Sequence, residues 1–188
     1  MPDCNAGRAL YAVHQGTYVL KLVGDVRASM CLTLDNFIER IFADESLQAV
    51  LVDLSETTLI DSTALGLVSK IAVSFRKISQ DKPVIISTHA DVTRILDSMG
   101  LEQVFEIVED ISLVSGDLKE VAVEKCVSGA ACERVLEAHR ILMSLNKKNH
   151  EIFKDVVKAL EEGSSSSELN CCEDDVGVSS SPKNKDAG

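Results

Sequence analysis

The chain has 188 residues, 45% of them hydrophobic and 26% charged, which is an ordinary balance for a globular protein. This length suits one domain with a real core plus an appendage, rather than two full domains. The net charge of -11 argues against nucleic acid as the direct partner, because phosphate contacts require clustered lysine and arginine side chains.

The first residues lack the basic and apolar regions of a signal peptide, and no apolar run approaches the roughly 20 residues that span a bilayer. Six cysteines, at positions 4, 31, 126, 132, 171 and 172, form no Cys-x-x-Cys pair and show no disulfide-like spacing. We therefore expect a cytoplasmic protein with reduced thiols that has no membrane partner.

Two short strands and an amphipathic helix are predicted for the first part of the chain. Residues 8–14 and 17–23 have strand composition, and Gln15-Gly16 between them predicts a hairpin. The segment 24–27 is predicted to be a turn that ends the second strand, and Ser29 is a candidate cap for the following helix. The apolar face of that helix consists of Leu34, Phe37, Ile38 and Ile41.

A buried strand followed by a helix forms the centre of the predicted fold. The strand is predicted at residues 49–54, where an unbroken apolar run bounded by Asp53 is typical of a strand that is covered on both faces. A helical pattern then extends from Ser62 to about Ser79. Asp61 and Ser62 thus lie at a helix start near the carboxyl edge of the sheet, where ligands and partners usually meet an α/β domain.

The next elements complete one domain. Residues 84–87 predict a strand, residues 91–99 a helix that stops at Gly100, residues 105–108 an edge strand, and residues 111–122 a closing helix. The order β-β-α-β-α-β-α-β-α predicts an α/β fold, a small mixed sheet with helices packed mainly on one face.

The segment Asp61-Ser62-Thr63-Ala64-Leu65-Gly66 resembles the D-S-S/T-x-L-G signature of STAS domains, in particular that of bacterial anti-sigma factor antagonists. The resemblance extends over about residues 9–124 and implies a STAS domain within residues 1–124. In that family the serine after the aspartate is phosphorylated by an anti-sigma factor that is a serine kinase. This position is Ser62.

The resemblance implies a function in transcription regulation by partner switching. The chain would bind the anti-sigma factor while Ser62 is unphosphorylated, and a phosphatase acting on phospho-Ser62 would restore binding. The expected contact surface contains Asp25, Arg27, Asp61, Ser62 and Thr63, together with the exposed side of the helix that begins there. Thr63 is also a second candidate hydroxyl for phosphorylation.

These residues also have simpler interpretations. Asp and Ser are preferred helix N-caps, so Asp61-Ser62 can serve only to start a helix, although both roles are compatible. Arg27 stands where phosphorylatable members of the family usually have an acidic residue. Arg27 can pair with Asp61 or with a phosphate on Ser62, Asp25 can replace the acidic residue, or the segment can be a solvated turn.

Enzyme motifs are absent from the sequence, which contains no GxxxxGKS/T, GxGxxG, HExxH or GxSxG. No cysteine lies at metal-ligand spacing from any histidine, and the only nearby bases for Ser62 in the local sequence are Asp61 and Asp53. We expect no catalytic residue, cofactor or metal. The alternative to the antagonist is a STAS subunit that does not cycle through phosphorylation and serves a signalling or transport complex.

The C-terminal part is predicted to be a single amphipathic helix at residues 129–163. A heptad-like stripe extends from Val135 to Ala159, and its wide apolar face favours packing on the chain's own domain. Asn149 within this stripe is also typical of parallel dimers, so helix-mediated self-association is a second option. The Ser-, Asp- and Lys-rich residues 164–188 are predicted to be disordered.

Overall fold

The computed structural model describes residues 6–109, 117–124 and 128–165. The strands in these ranges are β1 (Arg8–His14), β2 (Thr17–Val26), β3 (Ala49–Ile60), β4 (Val84–Ile86), β5 (Glu106–Val108) and β6 (Lys119–Glu120). The helices are α1 (Cys31–Ala43), α2 (Ser62–Phe75), α3 (Ala90–Ser98), α4 (Ser128–Leu145) and α5 (Lys147–Ser165). The strands form one mixed sheet in the order β5-β4-β3-β2-β1-β6.

The hairpin between β1 and β2 confirms the sequence prediction. The two strands pair antiparallel from Arg8 opposite Val23 to His14 opposite Thr17. Gln15 and Gly16 both have positive φ, 48° and 78°, which is the conformation that two-residue hairpin turns of type I′ require.

The parallel strands β2, β3, β4 and β5 are adjacent in chain order, and α1, α2 and α3 connect them. Each connection steps in the same direction along the sheet. Because such crossovers are almost always right-handed, the three helices lie on one face. Leu20, Val52 and Ile85 are fully buried between that face and the helices. The predicted α/β fold, a mixed sheet with helices on one main face, is confirmed.

Two local predictions near the second strand were wrong. β2 does not end at residue 23 but continues to Val26, with a register shift beside Gly24, whose φ is 73°. The longer β3 supplies the backbone partners for this extension, down to Val26 opposite Ile60. Ser29 does not cap α1, because residues 28–30 form a short 3-10 helix and the residue before α1, Met30, makes no side-chain capping bond.

The predicted closing helix at residues 111–122 is also corrected. Its end contains β6, which pairs antiparallel with β1 through Leu10 opposite Glu120 and Tyr11 opposite Lys119. The free edge of β1 offers backbone donors and acceptors, and pairing with this segment satisfies them. Residues 110–116 lie outside the described part of the chain.

The C-terminal segment forms two helices instead of the predicted single one. The Asn146 side-chain oxygen accepts a hydrogen bond from the backbone N–H of Asn149 at 2.9 Å, so Asn146 caps a new helix. α5 then packs back on α4, while α4 packs on α2 and α1. This arrangement corresponds to the option favoured from the sequence, in which the C-terminal segment packs on the chain's own domain. The predicted boundary of the STAS domain at residue 124 stays a prediction. α5 extends to Ser165, two residues into the predicted disordered tail, and the rest of that tail, from position 166 onward, lies outside the described residues.

Within the described ranges, every helix is too short or too polar to cross a bilayer.

Candidate functional site

The carboxyl ends of β2 and β3 bring two distant sequence segments together. Asp25 lies opposite Leu59 in the parallel register, and the backbone N–H of Asp61 donates to the carbonyl oxygen of Val26 at 3.1 Å. At this edge of the sheet, therefore, the segment with Asp25 and Arg27 meets the segment with Asp61 and Ser62.

Asp61 is the N-cap of α2 and ties that helix to the neighbouring segment. Its Oδ1 accepts from the backbone N–H of Ala64 at 2.8 Å, and its Oδ2 accepts from the N–H of Ala28 at 2.6 Å. Both carboxylate oxygens are thus used in holding the backbone. Ser62 is the first helical residue, so the capping interpretation applies to Asp61 and leaves the Ser62 hydroxyl available for another role.

Arg27 pairs with Asp25, a partner that was not among the alternatives considered from the sequence. Its guanidinium lies 3.0 Å from Asp25 Oδ2, and Thr58 Oγ1 donates to Asp25 Oδ1 at 2.9 Å. The hydrogen bonds from Arg27 and then Thr58 lower the pKa of Asp25. The Arg27 side chain remains 56% exposed, so this ion pair forms a solvent-facing rim beside Asp61.

The Ser62 hydroxyl has a partner that the sequence did not reveal. Ser62 Oγ lies 3.0 Å from Nε2 of His139 in α4, and His139 Nδ1 lies 2.8 Å from the carbonyl oxygen of Val135. A carbonyl can only accept, so we assign the proton of the neutral imidazole to Nδ1. Nε2 then accepts the hydrogen bond that Ser62 donates. The imidazole also packs edge-on against Phe153, with ring centroids 5.6 Å apart.

His139 is a basic side chain beside Ser62 that the local sequence did not reveal. Only 6% of the residue is exposed, however, so a substrate would have to displace α4 to reach the pair. We therefore interpret the Ser62–His139 bond as a packing contact between helices. The only signal for it in the sequence is a histidine within the apolar stripe, which periodicity alone cannot assign to a partner.

The exposed side that was predicted for α2 is largely covered. Ten of its fourteen residues are buried, including Thr63 at 4% exposure. A Cβ atom added to Gly66 would lie 2.3 Å from the carbonyl oxygen of Ala138, so the backbones of α2 and α4 are in direct contact there. The prediction of an open helical face was wrong because α4 occupies it.

A buried group of charges joins α1, α2 and α4. Asp35 has 0% exposure, and its two carboxylate oxygens lie 2.6 Å from Lys70 Nζ and 2.6 Å from Arg134 Nε. Lys70 Nζ also lies 3.1 Å from Glu137 Oε1. Burial by itself lowers the pKa of Lys70, but the hydrogen bonds to Asp35 and Glu137 outweigh it and the net shift is upward. Each oxygen of the buried carboxylate thus has a cation beside it, which offsets the cost of burying the charge.

In the part of the chain that the structure describes, no group of three or more His, Cys, Asp or Glu residues could hold a metal ion. Cys31 and Cys132, the cysteines within those ranges, are not in disulfides.

Comparison with known proteins identifies the family. A model of the STAS domain matches residues 9–114, more than half of the chain. The chain belongs to the STAS domain family. The match includes β1 to β5 and α1 to α3, with the Asp61–Gly66 signature, and it ends before α4 and α5.

One solved structure agrees with this assignment at the level of the fold, and two others of lower similarity were also found. An anti-sigma factor antagonist from Mycobacterium paratuberculosis is 19% identical, with a TM-score of 0.50 over 59% of this chain and 92% of that chain. The anti-sigma factor antagonist SpoIIAA in its unphosphorylated form is 15% identical, with a TM-score of 0.48 over 56% and 90% of the two chains. The Bacillus cell fate determinant SpoIIAA in the phosphorylated form is 14% identical, with a TM-score of 0.46 over 56% and 93%. No curated protein matches the chain.

Proposed function

We propose that this STAS domain is an anti-sigma factor antagonist that works by phosphorylation-controlled partner switching. The unphosphorylated chain binds an anti-sigma factor, which is also a serine kinase for Ser62. A phosphatase that acts on phospho-Ser62 returns the chain to its binding form.

One observation carries the proposal: the family signature begins α2 at the sheet edge, and Asp61 alone provides the cap. Ser62 is therefore not required for starting the helix. The helix N-terminus accommodates a phosphate dianion through its free N–H groups and positive dipole end. The domain can then accept the modification while its charge changes the surface that a partner meets.

The phosphorylation step requires a nucleoside triphosphate and a base, and the kinase supplies both. Oγ of Ser62 bonds to the γ-phosphorus of a nucleoside triphosphate held by the kinase, and the bond to the β-phosphate bridging oxygen breaks. The nucleoside diphosphate leaves, and the hydroxyl proton passes to a base of the kinase. Asp25 and Arg27, which form the solvent-facing rim beside Asp61, are the residues that we assign to partner contact.

Intact mass spectrometry tests the modification directly. Protein purified from its own cells should contain a fraction heavier by one phosphoryl group, which phosphatase treatment removes and peptide mapping places on Ser62. Ser62→Ala should abolish the increment. Ser74→Ala, a matched change of a half-buried serine in the same helix, should retain it. The increment on another residue, or its absence under all growth conditions, would contradict the proposal.

Binding of the anti-sigma factor tests the switch. In calorimetric titrations Ser62→Ala should bind the anti-sigma factor, because only one hydroxyl is lost. Ser62→Asp should bind it at least tenfold more weakly, because a charge faces the partner. Equal affinities would contradict the switch.

A second candidate function is a STAS subunit that does not cycle through phosphorylation. The observation that favours it is the hydrogen bond of the Ser62 hydroxyl to His139 beneath α4. This candidate predicts no phosphate on Ser62 in cells and partners whose affinity is the same for Ser62→Ala and Ser62→Asp.

A further inference from the structure

The two C-terminal helices, which we call the α4–α5 hairpin, lie beyond the STAS match that ends at residue 114. They nevertheless pack directly on the helix that begins with the signature. α4 contacts α2 and α1, and α5 packs on the outside of α4. The hairpin is therefore an addition to the STAS domain that rests on the site proposed above.

Contacts between α2 and α4 occur at three successive levels along α2. Ser62 is hydrogen-bonded to His139, Gly66 meets the backbone of Ala138, and Lys70 pairs with Glu137. The α2 residues are spaced by four and therefore lie on one stripe of that helix. This stripe starts at Ser62, so α4 covers the side of α2 on which the serine lies.

The hairpin is also attached at its turn. Asn146 and Asn149 both donate side-chain hydrogen bonds to the carbonyl oxygen of Met99, at 3.1 and 2.9 Å, just beyond the end of α3. Lys148 Nζ donates to the carbonyl oxygen of Ser98 at 2.9 Å. Asn149, which in the sequence was the argument for the second option of self-association, thus helps to fix the hairpin on its own domain.

The interface of α4 with α1 and α2 contains polar and charged contacts as well as apolar ones. It contains the buried Asp35 with Lys70 and Arg134, and the Ser62–His139 bond. Buried ion pairs contribute little net stability because desolvation offsets their attraction. Displacement of α4 has to separate Arg134 from Asp35, Glu137 from Lys70 and His139 from Ser62.

We propose that the α4–α5 hairpin is an intramolecular cover over the Ser62 site, so that α4 occupies the surface on α2 that the anti-sigma factor requires. This inference rests on the proposed function for the identity of the excluded partner. In the closed form Ser62 is half-buried and its hydroxyl is bonded to a nearly inaccessible imidazole, so α4 obstructs the approach of a kinase or an anti-sigma factor. Displacement of α4 from α2 opens the site.

The test measures access to position 62 without any partner. Ser62→Cys places a thiol there, and its reaction with dithiobis-nitrobenzoate is followed by peptide mass spectrometry, which separates it from the native cysteines. Ala138→Glu in the same background introduces bulk and charge at a fully buried position that touches Gly66, and should displace α4. Ser144→Glu adds the same residue at an exposed position of α4 and serves as the matched control.

We expect labelling at position 62 to be at least tenfold faster with Ala138→Glu than with Ser144→Glu or with Ser62→Cys alone. Equal rates in folded proteins would overturn the cover. If circular dichroism shows that Ala138→Glu does not fold, His139→Ala decides, since it removes the hydrogen-bond acceptor and the ring that packs on Phe153. A labelling rate that His139→Ala leaves unchanged would then overturn the proposal.

A second measurement separates this inference from the proposed function. Ala138→Glu should bind the anti-sigma factor at least tenfold more tightly than the parent chain, because apparent affinity rises with the population of the open form. Fast labelling with no affinity for an anti-sigma factor would retain the cover and reject the proposed partner. Slow labelling in every variant, with normal phosphorylation and binding, would reject the cover and retain the proposed function.

Discussion

Replacing Gly66 with alanine tests whether α4 is seated directly on α2. The new methyl group would lie 2.3 Å from the carbonyl oxygen, 2.6 Å from the carbonyl carbon and 2.8 Å from the Cα of Ala138. Ordinary van der Waals contact begins at 3.4 Å, so the helices would have to separate by about 1 Å. Because the contacted atoms are all backbone, no side-chain rotation can relieve the clash.

The net cost follows from three contributions. Overpacking a fitted interface costs about 1–3 kcal/mol. Alanine gains about 1 kcal/mol in helix propensity over glycine. Separation of the helices also weakens the 3.0 Å bond between Ser62 and His139, which removes about 1 kcal/mol. We therefore expect Gly66→Ala to lower the free energy of unfolding by about 2 kcal/mol.

Urea unfolding followed by far-ultraviolet circular dichroism measures this loss, since the chain has no tryptophan. With a urea dependence of about 2 kcal/mol per molar, the midpoint should fall by about 1 M. Gly163→Ala, in the last turn of α5, is the control and should leave the midpoint unchanged or slightly higher. If Gly66→Ala is as stable as the parent protein, the direct backbone contact between α2 and α4 is refuted.

Two further predictions concern the sheet and one ionisable group. Val52→Asp places an unpaired carboxylate at a fully buried position of β3 and should lower the free energy of unfolding by about 4 kcal/mol or more. If this variant unfolds at the same urea concentration as the parent protein, the strand is not buried. The pKa of Tyr18 is raised to about 12. The largest cause is the hydrogen bond that Tyr18 donates to Asp44 at 2.5 Å, followed by burial and the charge of Asp44. Its contribution to stability is therefore fully present below pH 10 and is lost as the pH rises through about 12. Ultraviolet titration of Tyr11→Phe isolates this tyrosine, and Asp44→Asn should move its midpoint back towards 10.

The sequence alone determined most of the STAS domain because its signals are local. The Gln15-Gly16 pair sets a hairpin through backbone conformation, and the apolar run from residue 49 requires a buried strand wherever it lies. Asp61 before a helical pattern sets the start of α2 by capping it. Such features depend on residues within one or two turns of one another, so periodicity and turn chemistry predict them.

Only the tertiary structure decided which surfaces meet. Residues 119–120 are a strand because the edge of β1 is available to them, and Asn146 divides the C-terminal segment because capping there lets α5 pack back on α4. Ser62 and His139 are 77 residues apart in the chain. Their contact depends on how α4 crosses α2, and helical periodicity identifies an apolar face without specifying the helix on which it packs. The sequence therefore located the serine, and only the packing of α4 decided that its helical face is covered.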